Sequence, residues 1–155
     1  MPLEIERKFL VAGQPWQGLA EGLVIRQGYL ALSESNVVRV RVGGGRAWLT
    51  IKGPTQGISR LEFEYEIPLQ DANSLLGLCD GAIIEKTRYR IEEEGVLFEL
   101  DVFGGENAGL VVAEVELERE EEDFFRPAWL GEEVSHDPRY RNSALSLRPY
   151  SSWPS

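Results

Sequence analysis

Charged residues in this sequence recur at alternate positions along several short stretches, and side chains two apart on an extended chain share a face. Glu4, Glu6 and Lys8 stand opposite Leu3, Ile5 and Phe9. Arg39 and Arg41 oppose Val38, Val40 and Val42, and Trp48, Thr50 and Lys52 oppose Ala47, Leu49 and Ile51. Glu62, Glu64 and Glu66 oppose Leu61, Phe63, Tyr65 and Ile67, while Lys86, Arg88 and Arg90 oppose Thr87, Tyr89 and Ile91. Glu99 and Asp101 face away from Phe98, Leu100 and Val102, and Glu114, Glu116 and Glu118 from Ala113, Val115 and Leu117.

The chemistry follows from charge type. Lys8, Arg39, Arg41, Lys52, Lys86 and Arg88 suit a chain of phosphate oxygens, and the planar arginine fork suits them best. Glu4, Glu6, Glu62, Glu64, Asp101, Glu114 and Glu116 would repel such oxygens directly. They are instead hard ligands for Mg2+ or Mn2+, which can bridge carboxylate to phosphate and activate a water. Positioning plus electrostatic stabilisation is most of what phosphoryl transfer requires.

The elements that must carry these residues are short strands punctuated by glycine and proline, expected at 3–11, 24–32, 36–43, 46–53, 60–68, 83–92, 95–103 and 110–119. Helices are expected at 72–79, capped by Asp71, over 120–130, and over 139–146 after an Asp137-Pro138 start. Alternation alone leaves two arrangements. An open sheet would turn its charges to water and pack its apolar side on helices. Eight strands can instead close into a barrel with the charges inside, around space for one small ligand. Alternation usually means the first; like charges crowded on each strand weaken that reading, because they repel unless something between them compensates. Such a lumen requires water, metal ions and a polyanion.

The length of 155 residues fits one domain over 1–150, with SSWPS at 151–155 as a mobile tail. A net charge of -10 disfavours nucleic acid and anionic membranes as partners, but says little about one cavity. Cys79 is the only cysteine, and neither a signal peptide nor a membrane-length apolar run is present, which points to the cytoplasm. His136 reads as a surface residue and Cys79 as a small hydrophobe, with no cluster for zinc. Any apolar barrel exterior left bare by the helices would favour a homodimer.

EIERK at 4–8 matches the E-x-E-x-K signature of the CYTH superfamily, the triphosphate tunnel metalloenzymes, and the chain resembles that family along nearly its whole length. QGYL at 27–30, VVRVR at 37–41, LTIKG at 49–53, RLEFEYEIP at 60–68, KTRYR at 86–90, FELDVF at 98–103 and AEVEL at 113–117 resemble its successive strands, in order. WLGEEVSHDPRYRNSALS at 129–146 resembles the end of small bacterial members. The resemblance implies an α+β, mainly β fold: an eight-stranded antiparallel closed barrel forming a tunnel, with a few helices outside. It implies a triphosphate lying on Lys8, Arg39, Arg41, Lys52, Lys86 and Arg88. It also implies one or two Mg2+ or Mn2+ ions on Glu4, Glu6, Glu62, Glu64 and Glu116, with Asp101 and Glu114 as further members.

Arg139 resembles a basic residue that the C-terminal helix presents near a tunnel mouth, and Tyr29 a tyrosine proposed as proton acceptor in similar proteins. A phenol of pKa ~10 is a poor base at neutral pH. A carboxylate acting on metal-bound water is the easier route, which leaves Tyr29 to orient substrate or to pack. Small bacterial members include inorganic triphosphatases, so hydrolysis of tripolyphosphate to pyrophosphate and phosphate is the first expectation. Alternatives are a thiamine, nucleoside or RNA triphosphatase, a class IV adenylyl cyclase, a non-catalytic polyphosphate-binding module, and an ordinary sheet protein with a solvated charged face.

Overall fold

A computed structural model describes residues 3–19, 22–33 and 35–154. The described residues form nine strands: β1 (Leu3–Val11), β2 (Leu23–Leu32), β3 (Val37–Gly43), β4 (Arg46–Lys52), β5 (Ser59–Ile67), β6 (Asp80–Glu93), β7 (Val96–Phe103), β8 (Val111–Glu116) and β9 (Leu130–Glu133). The first eight form an antiparallel sheet in the order β5-β4-β3-β2-β6-β7-β8-β1. It closes where β1 meets β5, with Leu3 opposite Leu61, Glu4 opposite Arg60 and Ile5 opposite Ser59. The sheet is therefore a closed barrel. The unexpected β9 is only four residues long and pairs Glu133 with Phe9 and Leu130 with Val11, using the part of the β1 edge that β5 leaves free.

Alternation sorts each strand into an apolar outer row and a charged inner row, and separate structures cover parts of the outer surface. Helix α1 (Leu69–Leu76) packs Ala72 and Leu76 on Val40 and Ala47 of β3 and β4. The segment after β8 lays Phe124 and Trp129 on β1 and β7, with Phe9–Phe124 ring centroids 5.9 Å apart and Phe98–Trp129 centroids 5.1 Å apart. No such cover lies over β5, where Leu61, Phe63 and Tyr65 stay exposed. Helix α2 (Asn142–Leu147) buries Leu145 among Tyr29, Ile84, Phe103, Leu110 and Val112, an apolar plug across one end of the barrel.

Three helix expectations change. The first helix runs over Leu69–Leu76 rather than 72–79. Pro68 takes the N-cap, since proline suits a helix start, and Asp71 lies inside the first turn without capping. No helix covers 120–130: Pro127 disfavours helical backbone before it, and the crowded acids of 118–123 repel one another at helical spacing. The Glu122 carboxylate instead accepts the Glu118 amide at 2.8 Å, tightening a turn. The C-terminal helix is broken. Pro138–Tyr140 forms a 3₁₀ turn, Arg141 is extended (φ -69°, ψ 138°), and α2 begins only at Asn142. Trp153 in the tail is packed, edge-on to Tyr140 and Tyr150 at 5.1 Å each, its indole donating to the Arg148 carbonyl.

Candidate functional site

The inner rows of the strands meet around one cavity of about 200 Å3. Every cation of the expected phosphate set lines it, namely Lys8, Arg39, Arg41, Lys52, Lys86 and Arg88. Tyr29 and the carboxylates Glu4, Glu6, Glu62, Glu64, Glu114 and Glu116 line it too. Cations dominate β3 and β6, while carboxylates dominate β1, β5 and β8, so the barrel holds a basic wall against an acidic one.

The acidic wall is crowded. Burial and then the Glu114 charge push the Glu6 carboxyl well above its usual range. Glu114 takes the ionised role: burial would raise it, but Lys8 and Arg88 hold it far below. Glu4 and Glu62 form a second pair around Lys52, whose Nζ lies 3.0 Å from Glu4 Oε1 and 3.2 Å from Glu62 Oε2. Burial and Arg39 push Lys52 down, yet Glu4, Glu6 and Glu62 outweigh them and raise it.

The basic wall is equally strained. Burial, then Arg39 and Arg88, push Arg41 down to about 10. Arg39 donates to Thr50 Oγ1 at 3.1 Å, while its buried Nε has no partner among the described residues. Such a donor asks for an acceptor. Burial pushes the Lys86 ammonium down to about 7 against the pull of Asp101, and Arg88 and Arg41 add to the depression.

Two expected site residues stand elsewhere. Asp101 shares the inner parity, but its carboxylate is fully buried and its oxygens are occupied: Oδ1 accepts Arg88 Nε at 2.8 Å, and Oδ2 accepts Arg88 Nη2 at 2.9 Å and Lys86 Nζ at 2.7 Å. It does not line the cavity. Its carboxylate holds two cations. Arg139 lies on the exterior, bound to Asp137 and set over the Trp153 ring at 4.9 Å. The break in the expected helix sends Arg141, not Arg139, to the cavity.

Arg60, Glu99, Arg141 and Asn142 line the cavity without having been singled out. Arg60 is one inner position before Glu62, and Glu99 one before Asp101, so strand parity marked both. Asn142 has no periodic signal. As the first residue of α2, it accepts from Lys86 Nζ at 2.9 Å and from Gln27 Nε2 at 3.2 Å. Gln27 is itself fixed, its Oε1 accepting Arg41 Nε at 2.8 Å, so its amide can only donate to the Tyr29 hydroxyl oxygen at 3.2 Å.

The donor set suits a hard divalent ion. Crowded, buried carboxyls are places where a cation can relieve the repulsion. Among the described residues, no three acids converge closely enough to hold an ion alone. One or two carboxylates would therefore share it with ligand oxygens and water, the usual manner of Mg2+ beside phosphates.

Comparison with known proteins agrees with this geometry. The family model described as the CYTH domain matches residues 2–149. The inorganic triphosphatase of Acetivibrio thermocellus is 50% identical over 151 residues, covering 97% of both chains. That of Nitrosomonas europaea is 42% identical over 148 residues, covering 93% of this chain and 97% of the relative. The crystal structure of the inorganic triphosphatase NE1496 superposes with a TM-score of 0.69 at 39% identity, covering 98% of this chain and 97% of that one. The PH1012 protein of Pyrococcus horikoshii shares the fold at a TM-score of 0.55 and 23% identity, covering 76% and 81%.

Proposed function

The chain belongs to the CYTH domain family, and from that membership we propose that it hydrolyses inorganic tripolyphosphate to pyrophosphate and phosphate, with Mg2+ or Mn2+, inside its barrel. The observation that carries this reading is the cavity in which eight cations face seven carboxylates. Lys8, Arg39, Arg41, Lys52, Lys86 and Arg88 bind and orient the phosphate chain. Glu4, Glu6, Glu62, Glu64, Glu114 and Glu116 supply the carboxylates from which one or two ions draw their protein ligands. When bound, such an ion supplies Lewis acidity toward phosphate oxygens and water.

The hydrogen bonds give Tyr29 a donor's part. Its oxygen already accepts from Gln27, so its own proton points the other way and is free for a phosphate oxygen. Proton acceptance falls to the acidic wall, where burial raises the Glu6 carboxyl well above its usual range. Asp101 keeps Arg88 and Lys86 aimed. Among the described residues no helix is long and apolar enough to cross a membrane, and a lone cysteine is in keeping with a cytoplasmic enzyme.

The test gives purified protein tripolyphosphate, thiamine triphosphate and ATP in turn, with Mg2+, with Mn2+ and with chelator, and identifies the products. Metal-dependent release of phosphate and pyrophosphate, fastest from tripolyphosphate, is expected. Binding without turnover would make the protein a polyphosphate-binding module, and cyclic AMP formation would make it a cyclase.

A further inference from the structure

The tunnel has a side branch. A second cavity, of about 70 Å3, shares Glu4, Glu6, Lys8, Arg60 and Arg141 with the first and runs on past Thr55, Ile58, Ser135 and Tyr140. Arg60 and Arg141 therefore stand at the junction of both spaces.

Arg60 enters from the start of β5, opposite Glu4. Its Nε and Nη2 donate to the Gly53 carbonyl at 3.0 and 2.7 Å, which fixes the guanidinium and leaves Nη1 unused. Arg141 lies in the extended break before α2, and among the described residues its side chain makes no hydrogen bond or ion pair. Burial lowers Arg60 from its usual value, and the charge of Arg141 lowers it further against Glu4, so the two cations feel each other. Neither has a carboxylate within ion-pair distance among the described residues, unlike Lys52, Lys86 and Arg88. Two guanidiniums facing one junction, neither held in an ion pair among the described residues, form a site that a phosphate can complete.

We propose that Arg60 and Arg141 form a subsite for an unesterified terminal phosphate and set the preference for inorganic triphosphate over nucleoside triphosphates. The proposal rests on the hydrolase reading above and adds residues and a selection rule to it. Inorganic triphosphate presents a free phosphoryl group, with its extra charge, at both ends. A nucleoside triphosphate has only one free end; its α-phosphate carries an ester, a sugar and a base. The branch, at about 70 Å3, is far below the roughly 300–1,000 Å3 of pockets that enclose organic ligands. It can accept a phosphoryl group and exclude a nucleoside.

Arg141→Ala is the decisive variant because Arg141 supports no other side chain, and Arg141→Lys keeps the charge without the fork. Steady-state kinetics on tripolyphosphate and ATP, with saturating Mg2+, should show KM for tripolyphosphate raised about ten- to a hundredfold, the scale of one lost charge-assisted contact, with kcat little changed. The loss in kcat/KM for ATP should be several-fold smaller, and Arg141→Lys should recover part of the selectivity. Equal losses on both substrates, or an unmoved KM for tripolyphosphate, overturn the proposal. Calorimetric binding of tripolyphosphate and of ATP to wild type and Arg141→Ala, without divalent metal, reads the same ratio with no turnover. A wild type that binds but does not hydrolyse would sink the hydrolase reading, while the ratio of affinities still decides the subsite.

Discussion

Replacing Asp101 with asparagine tests whether this residue positions cations or holds metal. The side chain keeps its shape and loses its charge. In the native protein it is fully buried and receives three charged N–H donors at 2.7–2.9 Å from Arg88 and Lys86. Removing one partner of a buried ion pair costs about 3–5 kcal/mol, because the remaining charge is left uncompensated. A second effect follows at Lys86. Burial already pushes its ammonium down to about 7, and Asp101 is the largest influence holding it up. Without that carboxylate, Lys86 loses its proton at neutral pH and the phosphate chain loses a charged contact, about 1.5–3 kcal/mol or roughly ten- to a hundredfold in kcat/KM. Urea unfolding and turnover across a Mg2+ titration read both effects. The positioning role predicts a much lower midpoint and an activity deficit that no metal concentration repairs. A wild-type midpoint together with recovery at high Mg2+ would show that Asp101 is a metal ligand and would refute the reasoning.

Other perturbations give distinct readouts. Glu6→Gln relieves the repulsion from Glu114, so its melting temperature should be maintained or raised while turnover falls by about a hundredfold or more; wild-type rates would remove Glu6 from the metal-binding wall. Hydrogen bonding from Arg7, at 2.8 Å from Nε, holds the Glu133 carboxyl at about 2, below an unfolded value near ~4.3. The unfolded chain binds the extra proton between those values, so this contribution is complete above about pH 4.5 and disappears as pH falls toward 2. Arg7→Gln should therefore cost about 1 kcal/mol at pH 6, discounted for partial exposure, and less at pH 3; a cost independent of pH would contradict this. Gly81→Ala should destabilise by at least about 1–2 kcal/mol, because Gly81 has φ +75° and a Cβ there would lie 2.8 Å from the Ser146 carbonyl oxygen of α2. An unchanged unfolding midpoint would mean that α2 can shift freely.

Much of the inner surface was legible in the sequence because strand parity is a local property. Glu4, Glu6 and Lys8 had to share a face once β1 was extended, and the same holds for Arg39 with Arg41 and Lys86 with Arg88. Closure was not legible from alternation, since an open sheet shows the same pattern; the pairing of Leu3 with Leu61 joins residues that local sequence cannot relate. Asp101 shows the same limit at one residue. Parity turned it inward, but only the strand across from it decided that Arg88 would occupy its carboxylate. Arg139 and Arg141 differ by a break in the helix: a continuous helix would have presented the first, and the extended backbone at 141 presents the second. Arg60 needed no tertiary information, only the parity of Glu62 extended by one more step.

The junction between β1 and its neighbours also bears on how the chain is assembled. β1 pairs on one edge with β8, far along the chain, and on the other with β5 and β9. During synthesis its β8 edge must wait, unpaired, until Val111–Glu116, about a hundred residues later, have left the ribosome. Such distant pairings are slow to form. The charged side of β1 limits the hazard of that wait, since edges bearing charges resist pairing with stray strands. The carboxylates that serve the finished cavity thus also guard an immature strand.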